Sequence, residues 1–315
     1  MSSQSKKVDL SSTLKSQDTE EWLDIHFTRP LGLLWARFFA RFDVHPNVVT
    51  VLSIILGVAA AVLFYFPSIW LTIAGILLLV WANIYDSADG QLARMTGKKT
   101  MWGRILDGFA GDIWFFCIYF SLCLRLDGES IPFTSVSWGI WIWLLACFSG
   151  FVCHAQQCRL ADYYRNVHLY FLKAGGGSEL VSFAKLRVEF ASLNWRKDWA
   201  WMTFLYFYVK YTRAQEQATP AFQRFFGMLQ AKYGEGGELP EALRTEFRAG
   251  SLPLMKYANI LTFNSRAIVL YLGLLLNVAW VYFLFEVVVL NVLYYYVRAR
   301  HERLCRELYE KWKPA

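Results

Sequence analysis

The fold of this chain is decided by the stretch Asp86-Ser-Ala-Asp-Gly-Gln-Leu-Ala-Arg94, which is followed after eight residues by Gly103-Arg-Ile-Leu-Asp-Gly-Phe-Ala-Gly-Asp112. Both parts lie beside apolar runs that are long enough to cross a bilayer. A carboxylate near hydrocarbon is costly unless a metal ion, a partner charge or water accompanies it. Several acidic residues on consecutive helices therefore indicate a buried site for a divalent cation, and such cations handle phosphates.

The composition places the chain among integral membrane proteins. Its 315 residues are 56% hydrophobic and 18% charged, with a formal net charge of +7, whereas a soluble domain averages about 25% charged residues. The polar start of the chain lacks the apolar core of a secretory signal peptide, so we expect none. The six cysteines lack metal-ligand spacing and are expected to be small buried apolar residues. Membrane lipids are expected around the chain, and no nucleic acid is expected as a partner.

Apolar runs and turn signals predict about six transmembrane helices. The first four are expected at roughly 47–66, 69–85, 103–124 and 136–157. The last apolar block, about 257–297, is either one long helix or a hairpin broken near Asn277. Basic segments before the first span, after the second and at the C-terminus place both ends on the cytoplasmic side, which favours six spans over five. Arg266 and Glu286 then lie at or near membrane depth, which marks a functional group or an ion pair.

The chain is predicted to be all-α and to divide into four segments. A cytoplasmic tail and an interfacial amphipathic helix occupy residues 1–45, and residues 46–158 hold the first four spans with the motif at 86–112. Residues 159–256 are charged, and their apolar runs are too short to span, which predicts a helical insertion outside the membrane. Residues 257–315 hold the last spans and a basic tail.

The acidic residues of the motif have the spacing of a metal site. Asp86 and Asp89 are three residues apart and lie on the same face of a helix. Asp107 approaches from the next helix, so carboxylates from two helices supply oxygen ligands suited to Mg²⁺ or Mn²⁺. One or two such ions bridge a pyrophosphate and stabilise phosphoryl transfer. The alternative is a salt-bridged interfacial loop, in which neighbouring arginines and lysines neutralise the acids.

Small and basic residues surround these carboxylates. Gly90 and Ala93 carry little side-chain bulk, which lets a flat base or a diphosphate approach the backbone. Arg94 supplies a fixed cation that grips phosphate in a fork. Gly103 lets the second helix enter close to the first. We expect these four positions to accommodate the phosphate-bearing ligand.

The whole motif resembles the signature of the CDP-alcohol phosphotransferase family, Asp-x2-Asp-Gly-x2-Ala-Arg-x7–8-Gly-x3-Asp-x3-Asp. The chain carries, with the permitted gap of eight, the signature residues Asp86, Asp89, Gly90, Ala93, Arg94, Gly103 and Asp107. The resemblance covers mainly residues 46–112. Pro46-Asn47-x-x-Thr50 also resembles the family's entry to its first span, where Asn and Thr help to bind the cytidine diphosphate. By that likeness Asn47 and Thr50 are candidate nucleotide contacts, and a plain helix start with a capping residue is the alternative.

The resemblance implies a six-helix membrane enzyme, usually dimeric, that uses divalent metal to join a CDP-linked donor to an alcohol and releases CMP. It also implies that the first three aspartates, Asp86, Asp89 and Asp107, bind the metal. The last aspartate of the signature binds metal as well and serves as the base that takes the proton from the attacking hydroxyl.

The chain departs from the signature at that last aspartate. Gly111 stands where the fourth acid is expected, and Asp112 comes one residue late. On a regular helix, i+5 lies about 140° from Asp107, whereas i+4 lies about 40° away. A single π-turn, which the glycines at 108 and 111 favour, absorbs the extra residue; otherwise metal-bound hydroxyl chemistry or substrate assistance replaces the base. We expect Asp112 to point into the site as a metal ligand and to share the catalytic role with Asp107.

Two versions of the enzyme agree with the motif, because both donors share the CDP end. The favoured version transfers the phosphatidyl group of CDP-diacylglycerol to a polar alcohol such as inositol phosphate or glycerol phosphate. The other version transfers a CDP-linked polar headgroup to diacylglycerol or a ceramide. A non-catalytic CDP-lipid-binding membrane protein is an alternative of another class, supported by the displaced Asp112. A transporter ranks lower, because no paired broken spans are seen.

The expected setting follows from the same features. The short chain without a targeting signal points to a bacterial inner membrane, with the site facing the cytoplasm. The resemblance further implies a homodimer.

Overall fold

The computed structural model describes residues 16, 18–173, 180–234 and 236–314, and within these residues the chain is built of helices. In chain order they are α1 (Arg29–Arg41), α2 (Pro46–Tyr65), α3 (Ile69–Thr96), α4 (Met101–Leu126), α5 (Ile140–Leu172), α6 (Phe183–Ser192), α7 (Trp195–Ala218), α8 (Pro220–Tyr233), α9 (Glu241–Leu275) and α10 (Trp280–Trp312). The predicted all-α class is therefore confirmed.

Six of these helices are long and apolar enough to cross a membrane, namely α2, α3, α4, α5, α9 and α10. They contain between 20 and 35 residues, and about 20 are needed to cross the hydrocarbon core. The prediction of six spans is confirmed, and the chain is a multi-pass membrane protein. The predicted N-terminal helix is also present, as α1.

A proline inside a helix usually breaks or kinks it, and the start of α1 contains Pro30 without such a break. Pro30 lies in the first turn of α1, directly after a π-helical turn at Asp24–Thr28. A proline is tolerated there, because the N–H it lacks has no partner within a helix. The helical path therefore continues through this proline.

The last apolar block is a hairpin, because α9 ends at Leu275 and α10 begins at Trp280. Asn277 between them adopts a left-handed backbone with φ of 56°. Asparagine is one of the few residues other than glycine that occupy this region regularly. Its Oδ1 accepts a hydrogen bond of 2.7 Å from Arg125 Nη2 at the end of α4, which anchors the turn.

The two charges expected at membrane depth, Arg266 and Glu286, form a buried ion pair. Both side chains are fully buried. Arg266 also donates to Gln157 Oε1 at 2.6 Å and to the carbonyl of Leu261 at 3.2 Å. His154 Nδ1 lies 3.2 Å from Glu286 Oε1. The sequence analysis expected a functional group or an ion pair at these positions, and the contacts show an ion pair.

A π-helical turn interrupts two of the three helices that contribute to this network. One turn occupies Phe148–His154 in α5, and the other occupies Phe285–Leu290 in α10. A π-turn inserts an extra residue and shifts the faces of the helix that follow it. The turns carry His154 and Glu286, so the helical register changes where the buried polar network lies.

The chain divides into two compact units, each with its own packing. The first runs up to Val152 and includes Ala267–Phe285, and the second consists of Cys153–Arg266 and the residues from Glu286 onward. In the first unit, α1 packs against α3, and α2 packs against both α3 and α4. In the second unit, the end of α5 packs against α9, and both α8 and α9 pack against α10.

Glycines bring the helices of the first unit close together. A Cβ at Gly57 would lie 2.2 Å from the Trp114 ring, and a Cβ at Gly75 would lie 2.7 Å from the Phe64 ring. Contacts below 3.0 Å do not occur for real Cβ atoms, so these crossings of α2 with α4 and with α3 require glycine. This packing fixes the two helices that carry the acidic motif.

The predicted segment boundaries after residues 158 and 256 fall inside α5 and α9. Both helices continue across the boundary, because their apolar stretches extend directly into polar helical ones. The stretch between α5 and α9 contains α6, α7 and α8, as a helical insertion requires. The division of the chain into four segments stays a prediction.

Candidate metal centre

Three carboxylates of the motif lie together where α3 and α4 face each other. Asp86 and Asp89 are three residues apart on α3, and Asp107 lies in the second turn of α4. One carboxylate oxygen from each lies within 4.8 Å of the other two. Asp89 is only 3% exposed, Asp86 is half-buried and Asp107 is exposed. The carboxylate group, as we call these three residues, is therefore most accessible on the side of Asp107.

The chemistry of the carboxylate group fits a divalent cation. All three donors are carboxylate oxygens, which are the ligands that Mg²⁺ and Mn²⁺ prefer. Two oxygens on opposite sides of one Mg²⁺ are about 4.2 Å apart, and the three oxygens here lie within 4.8 Å of one another. Three carboxylates at this spacing repel one another when ionised. A bound cation relieves that repulsion, so these residues are able to hold a metal ion.

The short connection between α3 and α4 sets the approach of the two helices. Gly97 ends α3 with a left-handed backbone, φ 70°, which glycine adopts without strain. Thr100 then caps α4, because its Oγ1 accepts a hydrogen bond of 2.9 Å from the N–H of Gly103. The same hydroxyl donates to Asn47 Oδ1 at 3.2 Å. The start of α4 is thereby joined to the start of α2.

Gly103 packs closely in this junction. A Cβ at position 103 would lie 2.6 Å from Asn47 Oδ1, so the Asn47 side chain would have to shift. The sequence analysis expected Gly103 to let α4 enter close to α3, whereas the close contact at this position is with Asn47 on α2. Asn47, predicted as a nucleotide contact, lies in this junction through its bond with Thr100.

Thr50, the other predicted nucleotide contact, is bonded to the carboxylate group itself. Its Oγ1 donates a hydrogen bond to Asp89 Oδ2. Thr50 is 2% exposed and Asp89 is 3% exposed, so the bond is shielded from water. Thr50 therefore orients one of the three carboxylates.

Gly90, Ala93 and Arg94 follow the acids on α3. A Cβ at Gly90 would lie 3.6 Å from the guanidinium of Arg94, which is ordinary van der Waals contact. Packing therefore does not require glycine at position 90, and its small size leaves room beside the carboxylates. Arg94 is exposed and lies close enough to act electrostatically on both Asp89 and Asp107.

The structure adds Arg29, which the sequence analysis did not single out. Its guanidinium pairs with Glu20 Oε1 at 3.1 Å and acts electrostatically on Asp86. Its carbonyl accepts a hydrogen bond of 3.1 Å from Gln91 Nε2 on α3. A Cβ at Gly32 would lie 2.8 Å from Gln91 Nε2, so α1 lies directly against the motif. In the sequence, the only feature that marked Arg29 was its place before a proline at the start of a helix.

Asp112 is not gathered with the other three aspartates. Helix α4 is a regular α-helix from Met101 to Leu126, without a π-turn between Asp107 and Asp112. Its regular geometry places Asp112 about 140° around the helix from Asp107. Asp112 is exposed, and it is not part of the carboxylate group found among the described residues. Its predicted roles as metal ligand and base stay predictions.

Comparison with known proteins gives a family match over the same region. Residues 43–166 match the family model described as CDP-alcohol phosphatidyltransferase. This range contains the carboxylate group, Asn47 and Thr50.

Two curated relatives match parts of the chain. A Rickettsia bellii (strain RML369-C) protein named CDP-diacylglycerol–glycerol-3-phosphate 3-phosphatidyltransferase is 32% identical over 87 residues, which are 28% of this chain and 48% of that protein. An uncharacterized protein of Aquifex aeolicus (strain VF5) is 34% identical over 70 residues, 22% of this chain and 34% of that protein. The chain therefore spans about half, or less, of the length of these relatives.

Proposed function

We propose, from the match of residues 43–166 to the CDP-alcohol phosphatidyltransferase family model, that the chain is a metal-dependent membrane transferase of this kind. It moves a substituted phosphate from a CDP-linked donor to an alcohol and releases CMP. The observation that carries this proposal is the carboxylate group, whose three oxygens from two adjacent helices lie within 4.8 Å of one another.

The carboxylate group, Asp86, Asp89 and Asp107, holds the metal in this proposal. A divalent cation bound there supplies positive charge that neutralises the diphosphate of the donor. Thr50 keeps the Asp89 carboxylate turned toward the other two through its hydrogen bond. Arg94 binds a phosphate oxygen through its guanidinium. Gly90 and Ala93 leave room for the diphosphate against α3.

The reaction forms one bond and breaks one. The hydroxyl oxygen of the acceptor forms a new P–O bond at the phosphorus that carries the substituent. The bond from that phosphorus to the CMP oxygen breaks, and CMP leaves with the electron pair. The hydroxyl proton passes to a carboxylate, for which Asp107 and Asp112 are the two candidates on α4. Asp107 is exposed and belongs to the carboxylate group; Asp112 requires an acceptor that reaches a second face of α4.

The favoured donor is CDP-diacylglycerol, with a polar alcohol such as glycerol phosphate or inositol phosphate as acceptor. The name of the Rickettsia bellii relative supports this version. Lys98 and Lys99 in the connection between α3 and α4 suit a phosphorylated acceptor. We further propose a homodimer in a bacterial inner membrane, with the carboxylate group on the cytoplasmic side, where basic segments concentrate.

CMP release by the full chain in lipid nanodiscs with Mg²⁺ tests the proposal. CDP-diacylglycerol and CDP-linked polar alcohols are offered separately, each with its own pool of acceptors. We expect CMP from CDP-diacylglycerol with glycerol phosphate or inositol phosphate, and none after chelation of the metal. CMP from the CDP-linked polar alcohols with diacylglycerol or ceramide would reverse the assigned direction of transfer.

A matched pair of variants separates the site from general damage to α4. Asp107→Asn removes one carboxylate of the group and is expected to abolish CMP release. Asp127→Asn makes the same change about 30 Å further along, where an asparagine oxygen still accepts from Trp143 Nε1 as the aspartate does at 2.9 Å. Asp127→Asn is expected to retain activity. Donor binding without CMP release by the unaltered chain, whichever acceptor is supplied, would favour a non-catalytic binding protein.

A further inference from the structure

Helices α6 and α7 form an antiparallel hairpin in the second unit. Near the start of α6, the N–H of Phe183 donates to Glu216 Oε1 at 2.7 Å near the end of α7. Toward the other ends, Trp201 Nε1 on α7 donates to Glu189 Oε1 on α6 at 3.1 Å. These two bonds join the helices at both ends. The α6–α7 hairpin, residues 183–218, is therefore a defined element.

One face of α7 is packed inside the second unit. Leu205 is 1% exposed, Thr212 is 2% exposed and Gln215 is 5% exposed. The side-chain amide of Gln215 donates to the carbonyl of Arg159 on α5 at 3.1 Å. This face holds the hairpin in place, so the exposure of the opposite face is fixed by the fold.

The opposite face of α7 carries exposed rings and exposed cations. At 100° per residue, Trp199, Tyr206, Lys210 and Arg213 fall within a stripe about 60° wide, and each of the four is exposed. Phe207 lies about 60° beyond the edge of this stripe. Trp195 precedes a kink at Asp198, where the backbone is not helical. The exposures are 60% for Trp195, 58% for Trp199 and 54% for Phe207. We call the set the aromatic–basic face: Trp195, Trp199, Tyr206, Phe207, Lys210 and Arg213.

The aromatic–basic face has the chemistry of a surface that lies on lipid. Tryptophan and tyrosine concentrate at the level of the lipid headgroups, and helices with basic and aromatic residues on one side lie along the interface. The apolar run Trp199–Tyr208 is about 15 Å long as a helix, half of a hydrocarbon core. Helix α7 is accordingly not among the candidate spans.

The positive charge of the α6–α7 hairpin favours anionic lipids. The hairpin, residues 183–218, contains six basic side chains and three acidic ones. Lys185 and Arg187 on α6 are exposed like the cations of α7, so the positive charge extends over both helices. Two copies of this surface repel each other, whereas a leaflet of anionic lipids attracts both.

We propose that the aromatic–basic face of α7 rests on the surface of an anionic leaflet, with its rings among the headgroups and its cations on lipid phosphates. This inference does not depend on the proposed enzymatic activity. It assigns the hairpin to lipid-surface recognition, a role separate from the metal site.

Hydrogen exchange of the full chain in two kinds of nanodisc tests the proposal. One nanodisc contains only phosphatidylcholine, and the other contains about a third phosphatidylglycerol. We expect peptides from residues 195–213 to exchange several-fold more slowly in the anionic nanodiscs, because the surface holds the helix down. High salt reduces the difference, since it screens the attraction.

Two matched double charge reversals distinguish the effect of the aromatic–basic face from the effect of the overall charge of the chain. Lys210→Glu with Arg213→Glu is expected to remove the difference between the nanodiscs. Arg224→Glu with Lys232→Glu makes the same change at exposed positions on the neighbouring helix α8 and is expected to preserve it. Unchanged exchange in α8 peptides shows that the first pair still folds.

Further measurements test the aromatic rings and the alternative that a second copy of the chain covers this face. Trp195→Gln with Trp199→Gln is expected to speed exchange of residues 195–213 in both nanodiscs, because the rings no longer enter the interface. Equal exchange of the unaltered chain in neutral and anionic nanodiscs would overturn the proposal. Protection that appears in detergent and rises with protein concentration would assign the face to a second copy of the chain.

Discussion

The hydroxyl of Thr50 on α2 donates a hydrogen bond to the carboxylate of Asp89 on α3, across 39 residues of sequence. Both side chains are almost completely buried. A residue that orients a metal ligand typically changes metal affinity by about 10- to 100-fold when it is removed. We therefore predict that the hydroxyl of Thr50 supports metal binding, beside the nucleotide contact that the sequence suggested.

Thr50→Val keeps the shape of the side chain and removes the hydroxyl. We expect the Mg²⁺ concentration for half-maximal CMP release to rise by about 10- to 100-fold, because Asp89 loses the bond that orients it. Thr50→Ser keeps the hydroxyl and is expected to stay close to the unaltered chain. Equal Mg²⁺ dependence of the valine and serine variants would remove this role from Thr50.

Two glycines on α4 are predicted to respond in opposite ways to alanine. Gly103→Ala pushes a methyl group into Asn47 Oδ1, so we expect a lower Tm and weaker activity. At Gly111, a Cβ meets nothing within 4 Å, and alanine favours a helix over glycine by about 1 kcal/mol. Gly111→Ala is expected to hold or raise Tm in a thermal melt of the detergent-solubilised protein. A stable Gly103→Ala would contradict the tight junction between α2 and α4.

Asp112→Asn distinguishes a base from a metal ligand. Because Asp112 lies outside the carboxylate group, we expect the Mg²⁺ dependence of this variant to be unchanged. Asp112 is the only acid besides Asp107 in the second half of the motif. If Asp112 takes the proton, its replacement by asparagine is expected to lower kcat by about 10²-fold or more. An unchanged kcat would assign the proton to Asp107. A shifted Mg²⁺ dependence would instead bring Asp112 to the metal.

The pair Arg266–Glu286 predicts a large stability effect of single changes. Removing one partner leaves a buried charge without its counterion, at a cost of about 3–5 kcal/mol. We expect Arg266→Leu and Glu286→Leu each to lower Tm strongly, and the double variant to recover part of the loss. Arg303→Leu is the control, because its pair with Glu307 spans 3.7 Å and both side chains are about two-thirds exposed. Such a surface pair contributes at most about 1 kcal/mol.

The sequence predicted what local patterns determine. Apolar runs of about 20 residues identify spans whatever their neighbours are, and the parity of basic segments selected the hairpin around Asn277. The three-residue spacing of Asp86 and Asp89 places them on one helical face. The convergence of Asp107 followed from the short connection between α3 and α4.

Long-range contacts explain what the sequence did not predict. The bond between Thr50 and Asp89 and the approach of Arg29 to Asp86 depend on how α1, α2 and α3 pack. No periodicity in one segment reports such a contact. The predicted boundaries at 158 and 256 fall inside α5 and α9, which continue as helices after their apolar stretches end. Polar composition alone does not end a helix.

The Arg266–Glu286 pair also bears on how the chain enters its membrane during synthesis. The two residues lie at either side of the turn around Asn277, one in α9 and one in α10. Either helix alone would carry an uncompensated charge into the lipid, which is unfavourable for a newly made segment. Together, the two helices present a neutral surface to the hydrocarbon. We therefore expect the membrane-insertion machinery to release the two helices into the bilayer together, after the second has been synthesised.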